Sequence, residues 1–290
     1  MDRLLFVFLL TAFINLINTL TRSSRLSGVR TRHLATAISL FGVVYLAASF
    51  ANTLQAPLLA STVEQIIENA YDRALAEAPA TGVTGSPVYQ AALADLEQKL
   101  RFVMLGATTG TIAGILIVPS FVTSFSNAIK AFGRTGSVFR VLLLILLSLV
   151  KPGGGVLKVR MTSPGTVGEI LSRRMTLPRS FLYWNLASYS LWTVNVLSGL
   201  YAGALFPDFR QTAVLMASIV GNAAIVVNVL MVDPVLARVT DAVARGEREE
   251  IELKQIIFYL AFSNLLGTLL SQVIFEPVAR GLQLLTRLVA

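Results

Sequence analysis

The chain is predicted to be an all-α polytopic membrane protein with six transmembrane helices. Three observations predict it. First, six stretches, 4–20, 34–60, 102–122, 181–206, 212–232 and 256–275, contain no Asp, Glu, Lys or Arg. Each is near or above the ~20 residues a helix needs to cross about 30 Å of hydrocarbon, and lipid leaves only helices or closed barrels as spanning options. Second, the apolar content is 54% over 290 residues. The longest candidate for a separate soluble domain is 61–101, so 1–290 reads as a single membrane domain. Third, the connections 21–33, 123–180 and 233–255 hold seventeen Lys and Arg residues against seven elsewhere. By the positive-inside rule these connections face the cytoplasm and both termini face outward.

The elements follow in order. The first span lacks a strongly basic n-region and an A-x-A-like cleavage site, so it reads as a retained signal anchor. The connection TRSSRLSGVRTRH then carries Arg22, Arg25, Arg30 and Arg32. After the second span, 61–101 reads as an external helical hairpin. Ser61 and Glu64 form a capping box; Val63, Ile66, Ile67, Ala70, Tyr71, Ala74 and Leu75 make one apolar face. Pro79 and TGVTGS turn the chain, and Ser86–Pro87 start a second helix along Val88, Ala92, Leu96 and Leu100. With six acids and three bases the hairpin is acidic, which suits a solvated cap or an outer gate.

Behind the third span, Phe121, Phe125, Ile129 and Phe132 recur at helical spacing beside Lys130 and Arg134, as in a helix lying at the headgroups. Val138–Val150 is too short to span and is flanked by basic residues. Segment 123–180 is therefore read as cytoplasmic, with an interfacial or re-entrant helix inside it. KPGGG at 151–155 lacks the G-K-[ST] ending of a phosphate loop and reads as a flexible turn.

The two sets of three spans share landmarks. Asn18, Gly42, Asn52, Pro57, Gly110 and Pro119 are followed in the same order by Asn195, Gly221, Asn228, Pro234, Gly267 and Pro277. The main difference in spacing equals the extra length of the hairpin. An odd number of spans per half inserts the halves with opposite orientation, giving an inverted 3+3 repeat. Chance placement of Pro and Gly, both common in spans, is the competing reading.

Chemistry is constrained by what is missing. One histidine, His33, and no cysteine remove most metal sites, thiol nucleophiles and disulfides, so no cofactor or metal is expected. Asp208, Asp233 and Glu276 sit at span ends without an evident titratable partner, which argues against an enzyme and against a midplane proton relay. The basic residues flank spans and form no nucleic-acid-binding fold. What remains inside the spans is ten amides: Asn15, Asn18, Asn52, Gln55, Asn185, Asn195, Asn222, Asn228, Asn264 and Gln272. Interhelical amide bonds serve as packing glue worth roughly 0.6–2 kcal/mol each, and amides spread over five spans also suit a wettable path for a large polar cargo. Arg22, Arg25, Arg30 and Arg32 can fork phosphate oxygens beside the N-terminus of the second span, although such a cluster is also the ordinary topological signal. Trp184, Tyr189 and Trp192 read as interface anchors or packing residues rather than sugar platforms.

Six segments, in their order and spacing, carry a resemblance: 25–41 (RLSGVRTRHLATAISLF), 52–59 (NTLQAPLL), 110–121 (GTIAGILIVPSF), 196–213 (VLSGLYAGALFPDFRQTA), 226–241 (VNVLMVDPVLARVTD with its preceding Val226) and 266–277 (LGTLLSQVIFEP). Together they resemble the Amj family of bacterial lipid II flippases, the alternates to the MurJ-type flippases. It is weakest across the hairpin and 151–175. The resemblance implies movement of undecaprenyl-pyrophosphate-linked peptidoglycan precursor from the inner to the outer leaflet of the bacterial cell membrane. It also implies an arginine about three residues before the amide of the second span. This chain has Ser49 there, which shifts pyrophosphate contact to Arg22 or Arg25.

The resulting expectation is alternating access between two halves. Arg22, Arg25, Arg30 and Arg32 capture the pyrophosphate of lipid II at the cytoplasmic face, and Asn15, Asn18, Asn52, Gln55 and Asn195 line the headgroup path. The rivals are a flippase or scramblase for another polyprenyl-phosphate lipid and a non-transporting scaffold for envelope assembly. Six spans make a small enclosure for so large a headgroup, which leaves room for a homodimer.

Overall fold

A computed structural model describes residues 2–77, 83–138 and 179–289, with positions 165, 168, 170 and 172. The readings of Val138–Val150, of KPGGG and of Pro79 fall almost wholly outside the described residues. Eight α-helices are described: α1 (Asp2–Leu20), α2 (Ser23–Thr31), α3 (Leu34–Glu77), α4 (Pro87–Thr135), α5 (Ser180–Leu205), α6 (Arg210–Val227), α7 (Asp233–Ala244) and α8 (Glu250–Val289). A single π-helical turn, Asn228–Val232, joins α6 to α7. Among the described residues there is no strand.

Five helical stretches are long and apolar enough to cross a membrane: Arg3–Thr31, Leu34–Ala76, Pro87–Thr135, Pro207–Ala244 and Glu250–Val289. The chain is a multi-pass, all-helical membrane protein. Of the six expected spans, 181–206 is the one missing from these five. It forms the 26-residue α5, whose Asn185, Asn195, serines and tyrosines dilute its apolar character.

Two local readings change. The capping box at Ser61 does not exist, because α3 runs unbroken through it for 44 residues. Ser61 instead donates its hydroxyl to the Leu58 carbonyl at 3.1 Å, and Pro57 is accommodated within the same helix. At 1.5 Å per residue α3 is about 66 Å long, roughly twice the hydrocarbon thickness, so its second part is an extension of the span. The start of α4 is as expected: Ser86 accepts from the Tyr89 amide at 3.2 Å and Pro87 occupies the first turn. Val63, Ile67, Ala70 and Ala74 of α3 pack with Tyr89, Leu93, Leu96 and Leu100 of α4 in one core.

The second change concerns Phe121, Phe125, Ile129 and Phe132, which continue α4 and face protein rather than headgroups. Phe121 and Phe125 stack at 5.0 Å between ring centres, and each meets the edge of Phe41 in α3. Burying the rings against α1 and α3 outcompetes exposing them at an interface.

Helix pairing sets the frame for the site. α1 packs most extensively on α4, and α5 on α8. Both pairs close on a glycine. A Cβ at Gly110 would lie 1.9 Å from the Ala12 carbonyl oxygen in α1, and one at Gly267 would lie 3.2 Å from that of Leu186 in α5. Small residues of this kind let membrane helices approach closely. α4 and α8 meet where Arg101 and Gln272 exchange side chain-to-carbonyl hydrogen bonds. α3 packs on α1 and α4 but touches α5 only slightly. A crevice therefore runs between α3 on one side and α5–α6 on the other.

Candidate functional site: a caged arginine and an amide-lined crevice

Thr11, Asn15, Asn18 and Arg22 recur three or four residues apart, which places them on one face of α1 and its helical extension. This stripe spans about 16 Å of axial rise. Its lower members are tied to their own backbone and to neighbours. Asn15 donates to the Thr11 carbonyl at 2.9 Å. Gln55 of α3 donates to the Thr11 hydroxyl at 2.8 Å, and the Tyr189 hydroxyl of α5 donates to Asn15 Oδ1 at 2.9 Å.

At the top of the stripe stands Arg22. Its guanidinium donates to Asn185 Oδ1 of α5 at 2.7 Å, Asn228 Oδ1 of the π turn at 3.1 Å and Asn264 Oδ1 of α8 at 3.3 Å. Asn185 in turn donates to Asn264 Oδ1 at 2.8 Å, and Asn228 donates to Asp233 Oδ2 at 3.4 Å. The π turn has a local consequence here: its extra residue re-aims the helix so that Asn228 and Asp233 both line the arginine's cavity. Arg22 thus keeps neutral amide oxygens as its direct partners, with one carboxylate a step behind. Such a cation is held by three amide oxygens yet electrically uncompensated at short range, which is the condition for accepting an anion without first breaking an ion pair.

A cavity of about 380 Å³ opens beside it, lined by Asn18, Arg22, Arg25, Tyr45, Trp192 and Asp233 among others. A second, of about 170 Å³, is lined by Asn15, Asn52, Gln55, Trp192 and Asn195. Further along α3 lie two more, of about 280 and 200 Å³. Arg210 lines both and forms an ion pair across the crevice with Glu64 of α3 at 3.0 Å. Glu68, Asp72 and Asp208 border the last. The crevice is therefore cationic at one end, neutral and amide-rich in the middle, and acidic at the other.

Of the nine residues singled out in the sequence, seven gather along this crevice. Arg22, Arg25 and Asn18 line the larger cavity; Asn15, Asn52, Gln55 and Asn195 line the smaller. Arg30 and Arg32 lie elsewhere. Arg30 is exposed and pairs with Glu250 at 2.8 Å, and Arg32 caps α2 in the left-handed region at φ 59°. Asn185, Asn228 and Asn264 were visible as intramembrane amides, but nothing in their spacing linked them to Arg22. The α1 stripe was the available signal.

Comparison with known proteins adds a decisive observation. The family model described as Amj, Alternate to MurJ, matches residues 10–286. The chain belongs to the Amj family. Among curated Amj relatives, the protein named Lipid II flippase Amj from Bacillus subtilis (strain 168) is 32% identical over 288 residues, covering 98% of this chain and 97% of the relative. No solved structure matches the chain. The Amj match begins inside α1 and ends in the last turns of α8, so the whole crevice lies within it.

Proposed function

We propose that the chain is a lipid II flippase, moving undecaprenyl-pyrophosphate-linked peptidoglycan precursor from the cytoplasmic to the outer leaflet of the bacterial cell membrane for cell-wall synthesis. The observation that carries this reading is the Arg22 cavity, which adjoins an amide-lined cavity between the two halves. Arg22 and Arg25 receive the pyrophosphate, and Asn15, Asn18, Asn52, Gln55 and Asn195 accompany the sugar-peptide. The polyprenyl tail stays in lipid outside the crevice. Arg30 and Arg32, away from the cavities, serve orientation. The family relative's name supports the choice of cargo.

In this reading 1–290 is one membrane domain and α5 is a sixth span. Two inverted three-span halves, α1–α4 and α5–α8, rock against each other. The equivalent pairing of α1 with α4 at Gly110 and of α5 with α8 at Gly267 supports that symmetry. The basic connections and the Arg22 cavity face the cytoplasm, and the termini and the Glu64–Arg210 end face outward.

The deciding experiment is genetic. Expression of this chain should restore growth to bacteria depleted of their own lipid II flippases, and the Arg22→Gln chain should not. No restoration by a membrane-inserted wild-type chain overturns the proposal.

A further inference from the structure

The sequence reads Trp192 as an anchor or packing residue, and the structure gives it neither role. Interfacial tryptophans sit at helix ends, at headgroup level. Trp192 lies in the middle of α5, whereas Trp184 lies near the helix start. Nor is Trp192 packed away: it is 38% exposed and, among the described residues, has no ring partner. It is the residue that lines both the Arg22 cavity and the amide cavity.

From this placement we infer that Trp192 is a carbohydrate platform, stacking the first sugar ring attached to the pyrophosphate. The site would select an N-acetylated glycosyl pyrophosphate lipid over a bare polyprenyl pyrophosphate. The inference rests on the flippase reading for its cargo and adds the element that recognises sugar.

The chemistry follows the order of groups along the crevice. Arg22 and Arg25 line one of the two cavities that Trp192 borders, suited to the diphosphate. Asn52, Gln55 and Asn195 line the other, suited to the acetamido and hydroxyl groups of a pyranose. Between them a flat indole offers apolar area to the ring's C–H face and an N–H donor at its edge. A pocket of this kind, with an aromatic wall and a few placed polar groups, is how proteins orient small polar ligands.

The test exploits the two tryptophans of the chain. In a Trp184→Phe background Trp192 is the sole indole reporter. The protein in nanodiscs is titrated with undecaprenyl pyrophosphate, and separately with the same lipid bearing one N-acetylated sugar. The sugar-bearing lipid should change Trp192 emission and the bare lipid should not. In the wild-type background, Trp192→Leu should weaken binding of the sugar-bearing lipid about tenfold and leave the bare lipid unchanged, with Trp192→Phe recovering most of the loss. Equal loss for both lipids, or no loss for either, overturns the platform. If Trp192→Leu does not fold, the emission experiment decides alone, and equal responses to both lipids overturn the inference. Binding is read without transport, so selective binding together with failed growth restoration would sink the flippase reading and leave the platform standing.

Discussion

Arg22 Nη2, just past the end of α1, donates to Asn185 Oδ1 in α5 at 2.7 Å. One guanidinium therefore touches amides from three later elements, α5, the π turn and α8. An anion that recruits Arg22 competes with all three bonds at once, so on the proposed flippase reading cargo capture would also loosen this contact.

That coupling predicts a sharp difference between arginine and lysine. Hydrogen bonds to a charged group are worth about 1.5–3 kcal/mol, and lysine cannot present a fork to Asn185, Asn228 and Asn264 together. Arg22→Lys should lower lipid II transport in proteoliposomes by about tenfold or more. Arg32→Gln, altering an exposed residue outside the cavities, should remain near wild type.

The glycine contact between α1 and α4 makes a stability prediction. Gly110→Ala puts a methyl group against backbone that cannot yield, and overpacking of this kind costs about 1–3 kcal/mol. Thermal unfolding in detergent should show a clear fall in Tm. Gly42→Ala, whose Cβ meets nothing within 4 Å, should hold or slightly raise it.

How much of this was legible in the sequence differs between elements. Uncharged length alone revealed the spanning helices, because lipid imposes one strong and local rule. It blurred helix ends at Ser61, where a good capping sequence lies inside a continuous helix and tertiary packing of Val63 and Ile67 wins over the cap. The α1 stripe was readable from spacing. Its acceptors were not, because Asn185 and Asn264 approach Arg22 from residues 163 and 242 positions away.

Orientation can be read by labelling, since the chain has no native cysteine. Gly85→Cys, in open space before α4, should react with an impermeant maleimide added to intact cells. Ala244→Cys, exposed at the end of α7, should react only after lysis. The opposite pattern would invert the proposed topology. Ala244 is the better site than its neighbour Gly246, whose φ of 78° would strain any side chain.

The driving force is also open to measurement. Export of an anion from an inside-negative cell is downhill by about 2.3 kcal/mol per charge per 100 mV. Collapsing the membrane potential while keeping the pH gradient should stop transport. Unchanged transport would show that the energy comes from elsewhere.

Transport and scaffolding part at Asn52. It is exposed and lines the smaller cavity, so Asn52→Leu should leave Tm unchanged while reducing transport several-fold. A scaffold would tolerate the change fully, and growth restoration would then match wild type.

The length of α3 has a mechanical meaning. One uninterrupted rod borders each of the four cavities described above, from Tyr45 to Asp72, with Pro57 part-way along it. Proline removes a backbone hydrogen bond and makes its position the natural pivot. The arm beyond Pro57 is about 30 Å long, so a bend of about 10° would swing its tip by roughly 5 Å. The same bend, at a pivot close to Asn52 and Gln55, would barely move the amides beside it. On the flippase reading α3 acts as a lever: small adjustments at Pro57 become displacements of several ångströms at its far end.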